Sequence, residues 1–158
     1  MQRVVGISEY TISADPGDML VTYSLGSCIG LALHDPVAGL AGMLHAMMPT
    51  SAMNADKAAE TPAMYVDAGA LALLQALFDR GATRANLVAK VAGAASQVDR
   101  HSLFRIGERN YVVLRKVLWK NGILIAAEDV GGAASRTVYL DVGTGRTQIR
   151  SEGIVREL

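Results

Sequence analysis

With 158 residues, 51% of them hydrophobic, the chain has the material for one well-buried core. Its 15 basic and 15 acidic residues balance and are scattered, so no net field favours nucleic acid or an anionic membrane surface. A single cysteine excludes an internal disulfide and suits a reducing compartment.

Taken in chain order, Arg3–Ile7 and Met19–Leu25 are rich in β-branched and large apolar residues and predict strands, separated by the turn signal Asp15-Pro16-Gly17-Asp18. Ile29–Leu33 and Gly39–Met47 predict two further strands around a tight turn at Asp35–Ala38. The small, polar stretch from Thr50 to Thr61 reads as a loop. Thr61-Pro62 then offers an N-cap and a first-turn proline for a helix carrying Met64, Ala68, Leu71, Leu74 and Phe78 at helical spacing, stopped by Gly81. Leu87–Ala92 predicts a buried strand, and Glu108–Asn121 a second helix closed by Gly122. Ile123–Ala127 and Thr137–Val142 predict strands, and Gly143-Thr144-Gly145 turns the chain into Arg146–Arg150. The expected fold is α/β (α+β): one compact sandwich of mixed, largely antiparallel sheet with two main helices, forming a single domain over residues 1–158.

The opening Met1-Gln-Arg-Val-Val-Gly-Ile is too short an apolar run for a signal peptide. The most apolar stretch, Val37 to Pro49, falls short of the roughly 20 residues a membrane-spanning helix needs. A cytoplasmic protein is expected.

Chemistry concentrates around Cys28 and His45. A turn centred between Pro36 and Val37 makes these two residues direct cross-strand partners on one face, with Cβ atoms about 4.5–5.5 Å apart. A slip of one residue would separate them to opposite faces. An imidazole beside a thiol can take its proton, lowering the cysteine pKa from about 8.5 into the range of about 3–7.5 and producing a thiolate nucleophile. Backbone N–H groups around Cys28 are natural oxyanion donors. Thr22 and Ser24 share the parity of Cys28, so either hydroxyl is placed to orient the base. The plainer alternatives stay open: a buried lone cysteine, a satisfied core histidine and an ordinary strand threonine. His34 beside the turn and His101 in a polar stretch are expected to be solvated. A Cys28/His34/His45 metal site lacks the tight ligand spacing of structural zinc, so neither metal nor cofactor is expected.

At these residues the sequence resembles the CheD family, the chemoreceptor glutamine deamidases of bacterial and archaeal chemotaxis. Thr22-Tyr-Ser-Leu-Gly-Ser-Cys28 is similar to its thiol motif, and Gly42-Met-Leu-His45 with Pro49 to its histidine motif. Lys90-Val-Ala-Gly93-Ala94, Ile106-Gly-Glu-Arg109-Asn110 and Ala127-Glu128-Asp129-Val-Gly131-Gly132 agree with later signatures. The resemblance implies an α/β sandwich that hydrolyses glutamine side-chain amides on chemoreceptor cytoplasmic helices. It places the nucleophile at Cys28, the base at His45 and the third triad member at Thr22, with a CheC-type phosphatase as regulatory partner. The chain departs from the family at Ala92-Gly93, usually two glycines, and at Met64-Tyr65-Val66-Asp67, commonly Lys-Tyr-Ala-Asp. Arg109, Asn110, Glu128 and Asp129 either line a substrate groove or tie loops together. Two rivals to a hydrolase are a binding module without catalysis and a transglutaminase-like transferase that passes the acyl group to an amine.

Overall fold

The computed structural model of the chain describes residues 1–96 and 105–158. Its strands are β1 (Gln2–Val4), β2 (Glu9–Ser13), β3 (Met19–Leu25), β4 (Ile29–Asp35), β5 (Leu40–Ala46), β6 (Val88–Gly93), β7 (Ile125–Val130), β8 (Arg136–Asp141), β9 (Thr147–Ser151) and β10 (Ile154–Glu157). The helices are α1 (Ala55–Glu60), α2 (Val66–Asp79) and α3 (Ile106–Lys120). One sheet has the order β1-β3-β8-β9-β10 and the other β2-β5-β4-β6-β7. Only β1/β3 and β6/β7 pair in parallel among these strands. The expected mixed, mainly antiparallel sandwich with two main helices is the fold observed.

Every residue of β4 and β5 is buried, which explains why both read as unbroken apolar runs. Side chains alternate across a strand, and here each face has its own cover. Ile29, Leu31, Leu33, Leu40, Leu44 and Ala46 pack with Leu73, Leu74 and Leu77 of α2 and Leu114 and Leu118 of α3. The opposite parity, with Ala32, Ala41 and Met43, meets Leu20, Val138, Leu140 and Ile149 of the other sheet. The layers are therefore sheet, sheet, helices. The small residues of this second set let the two sheets approach, and His34 and His45 belong to it by parity.

The stretch expected as a loop holds a 3-10 turn (Ser51–Met53) and then α1. The Asn54 side chain caps α1 by accepting from the Lys57 N–H, and the Asp67 carboxylate accepts from both the N–H and the hydroxyl of Ser51. The Thr61 side chain makes no capping hydrogen bond; its N–H closes α1 by donating to the Lys57 carbonyl at 2.8 Å. Pro62 instead opens a 3-10 turn, Pro62–Met64, and α2 starts at Val66. The edge strands β2 and β10 were not anticipated; their sequences, Glu-Tyr-Thr-Ile-Ser and Ile-Val-Arg-Glu, mix apolar and charged residues, in keeping with strands that have no partner on one side among the described residues. His34 is a correction: it is buried, and its Nε2 lies 3.1 Å from the Val142 carbonyl oxygen. His101 lies outside the described residues.

Candidate active site

Because β3 belongs to one sheet and β4 to the other, the chain crosses between layers at Gly26, Ser27 and Cys28. All three carbonyls of this bend are held from behind. Gly26 accepts from the Ala95 N–H and Cys28 from the Ala94 N–H, each at 2.8 Å, and Ser27 accepts from the Asn110 amide at 2.8 Å. In a trans peptide the N–H points opposite to the C=O, so the N–H groups of Ser27 and Cys28 are turned the other way. Among the described residues, neither has an acceptor on another residue. Gly93 is what permits this seating. Its φ is +103°, and a Cβ there would collide with the Cys28 carbonyl oxygen. Ala92, the other half of that departure from the family pattern, faces Gly30 across the ladder and is buried without strain.

Thr22 reaches His45 across the space between the sheets. The Thr22 Oγ1 to His45 Nδ1 distance is 2.8 Å, and Oγ1 lies 2.7 Å from the Val5 carbonyl oxygen. Both residues are buried, at 0% and 1% exposure, which leaves no water-facing alternative for either. A hydroxyl has one hydrogen and the Val5 carbonyl can only accept, so Thr22 donates to Val5 and accepts from His45 Nδ1–H. The network thereby assigns the ring proton to Nδ1 and leaves Nε2 bare. Nε2 is buried and has no hydrogen-bond partner among the described residues.

The register differs from the expectation. Gly30, not Cys28, faces His45, because the turn after β4 spans four residues, with Asp35 opposite Leu40. The Asp35 carboxylate holds that wider turn by accepting from the Val37, Ala38 and Thr83 N–H groups. Burial alone would raise the Asp35 pKa, but these hydrogen bonds and nearby His34 hold it below the ordinary value. A shift of two residues keeps parity, so Cys28 and His45 remain on the same, inter-sheet side as diagonal neighbours, a relation of about 7–8 Å in a regular ladder. Cys28 packs half-buried against the inter-sheet core. No hydrogen bond joins it to His45 or Thr22 among the described residues.

Electrostatics also depart from expectation. Burial pushes the Cys28 thiol up, its own backbone N–H opposing the shift, and burial lowers His45 to about 4. Both shifts run against the thiolate–imidazolium pair expected, since a low-dielectric pocket penalises each charge. The arrangement thus sets a thiol and a bare ring nitrogen on one inter-sheet side, the two groups that a thiol-to-imidazole proton transfer would use.

Of the other candidates, Ser24 is exposed at φ +57° and takes no part. Arg109 is exposed. Glu128 accepts from the Tyr111 hydroxyl, and Asp129 pairs with Arg136 at 3.3 Å and with Arg156. Arg136 was not foreseen. It is buried and donates to the carbonyls of Gly93, at 3.1 Å, and Gly131, at 2.6 Å, bracing the strand end behind Cys28. Asn110 is fully buried on the α3 stripe of Gly107, Leu114 and Leu118. A polar residue on an apolar helical stripe was the signal available for it. Its Nδ2 also donates to the Met47 carbonyl at 3.0 Å, while its Oδ1 is buried without a partner among the described residues, a condition that typically costs about 1–3 kcal/mol.

A model of the family described as CheD chemotactic sensory transduction matches residues 47–151. The chain belongs to the CheD family. Full-length relatives carry the likeness across the segment with Thr22, Cys28 and His45, which that model does not reach. "Probable chemoreceptor glutamine deamidase CheD" of Solibacter usitatus is 46% identical over 99% of this chain and 93% of its own length. The "CheD 1" protein of Syntrophus aciditrophicus is 44% identical over 95% of this chain and 94% of its own. The Pyrococcus horikoshii CheD, an archaeal relative, is 41% identical over 97% and 95%. Membership places the chain among the deamidases of chemotaxis. Among solved structures, a Bacillus licheniformis hypothetical protein, YfiH, superposes with a TM-score of 0.47 at 17% identity, covering 78% of this chain and 51% of that one, a likeness too loose to bear on function. No described helix is long and apolar enough to cross a membrane.

Proposed function

We propose that this CheD-family chain, acting as one domain over residues 1–158, hydrolyses glutamine side-chain amides of chemoreceptors to glutamate and ammonia through Cys28, His45 and Thr22. The observation that carries the reading is the Thr22–His45 hydrogen bond, which leaves a bare, buried Nε2 on the same inter-sheet side as the only thiol. As Cys28 Sγ bonds to the amide carbon, its proton passes to Nε2 and the carbonyl electrons move to oxygen. The developing oxyanion is received by the Cys28 N–H. When the carbon–nitrogen bond breaks, the imidazolium gives its proton to the departing nitrogen, releasing ammonia and a γ-glutamyl thioester. Water then attacks with His45 as base, restoring the thiol. Thr22 keeps Nδ1–H occupied throughout.

Receptor cytoplasmic helices present glutamines on exposed faces, where a side-chain amide is reachable without unfolding. A CheC-type phosphatase is the regulatory partner that accompanies this reading. The test incubates the protein with receptor cytoplasmic fragments and an excess of a primary amine, read by peptide mass spectrometry. Glutamate at defined glutamines is expected. Mainly amine-conjugated product would make it a transferase, and an unmodified receptor bound tightly would make it a binding module.

A further inference from the structure

We propose that Asn110 is a positioning residue for the oxyanion donor, an inference that rests on Cys28 acting as the nucleophile. Asn110 sits on α3, an element that brings no residue to the Thr22–His45–Cys28 group itself. Both of its hydrogen bonds nevertheless end on the two main-chain segments that flank the reacting atoms: the Ser27 carbonyl at 2.8 Å and the Met47 carbonyl at 3.0 Å. Two carbonyls can only accept, so the amide nitrogen must face them and the side chain's orientation is unambiguous. The Ser27 carbonyl and the Cys28 N–H belong to one peptide plane. Holding that carbonyl toward α3 aims the N–H away from it, toward the side on which a substrate oxygen would become negative. Without the hold, this peptide can rotate and the donor is lost while the thiol and the base stay in place.

Gly107 supports the same function. A Cβ at that position would strike the Ala94 and Ala95 carbonyl oxygens, so glycine lets the first turn of α3 close onto the loop that also holds Gly26 and Cys28. Asn110 follows one turn later and reaches Ser27 because of that approach. The fully buried setting, with Oδ1 unpartnered among the described residues, fits a side chain kept for its two donors rather than for packing.

Alkylation by iodoacetamide uses the thiol but forms no oxyanion, whereas deamidation needs both. In Asn110→Leu, kcat on a receptor fragment should fall about 10²–10³-fold with KM little changed, the loss seen when one oxyanion donor is removed. The pH profile of Cys28 alkylation should match that of wild type. A profile altered in parallel with kcat, or a wild-type kcat, would overturn the role. A second measurement needs no variant. In the wild-type protein, the Cys28 amide proton should exchange freely with solvent and shift on addition of a peptide bearing a glutamine-like side-chain aldehyde, which adds reversibly to the thiol. A Cys28 amide that is protected beforehand, or unmoved by the adduct, also overturns it. Deamidation that survives Cys28→Ala would refute the underlying assignment of the nucleophile, an outcome distinct from failure of Asn110 alone.

Discussion

Two buried histidines face the same layer between the sheets, one toward each end of it. His34 on β4 gives its Nε2 hydrogen to the Val142 carbonyl, and that nitrogen is then finished. His45 on β5 is turned round: its Nδ1 is engaged by Thr22, and Nε2 has no partner among the described residues. Burial is nearly the same, at 6% and 1%, so burial is not what separates a structural imidazole from a chemical one. The difference is where the opposite nitrogen lies. Donating a ring N–H fixes the tautomer in both cases and leaves the other nitrogen bare, but His34 Nδ1 packs against Gly145, whereas His45 Nε2 lies on the inter-sheet side that Cys28 shares.

The largest expected effect lies at the His45 end. Cys28→Ala should abolish deamidation, a loss on the order of 10⁴-fold or more, with circular dichroism unchanged. Turnover within tenfold of wild type would erase the distinction between the two ends. Thr22→Val should cost about 10²-fold, because the imidazole keeps its place in the ladder but loses its fixed tautomer, and Thr22→Ser should cost much less. The wild-type pH profile sharpens this: activity needs neutral His45, so it should persist down to about pH 4 and fall below it. Stability should also decline as pH drops from the ordinary histidine value toward 4, since the unfolded chain takes up a proton that the folded His45 refuses. Denaturant titrations at several pH values would show it. The smallest effect on activity belongs to His34→Leu, expected to stay within a few-fold of wild type while losing about 1–3 kcal/mol in chemical unfolding, because the Val142 carbonyl is left buried and unpaired.

Much of this was legible in the residues. The apolar runs at Ile29–Leu33 and Gly39–Met47 announce a hairpin buried on both faces, and parity alone puts Cys28 with His45. The two-residue error in register came from the turn, whose width depends on the Asp35 carboxylate reaching Thr83, 48 residues away. Such distant ties leave no local pattern. The same holds for Arg136, whose contacts with Gly93 and Asp129 join separate stretches of chain, and for the reach of Thr22 across two sheets. Thr22 was expected beside the base by alternation along one extended segment; it is there because the chain changes layers after Leu25. The direction of the Cys28 and His45 shifts was also illegible, since desolvation is a property of the assembled layer.

The Val5 carbonyl has no chemistry of its own, yet the selection of a ring nitrogen runs back to it. It is set in place by the Val5 N–H on the Val21 carbonyl, just past the short edge strand β1. Were that oxygen withdrawn, the Thr22 hydrogen would be free to swing onto Nδ1 and the ring proton would settle on Nε2, so the proposed base would become a donor. On the proposed mechanism the N-terminal edge of the outer sheet is a latch on tautomerism, and displacing the three residues of β1 should lower activity with Cys28, His45 and Thr22 all intact.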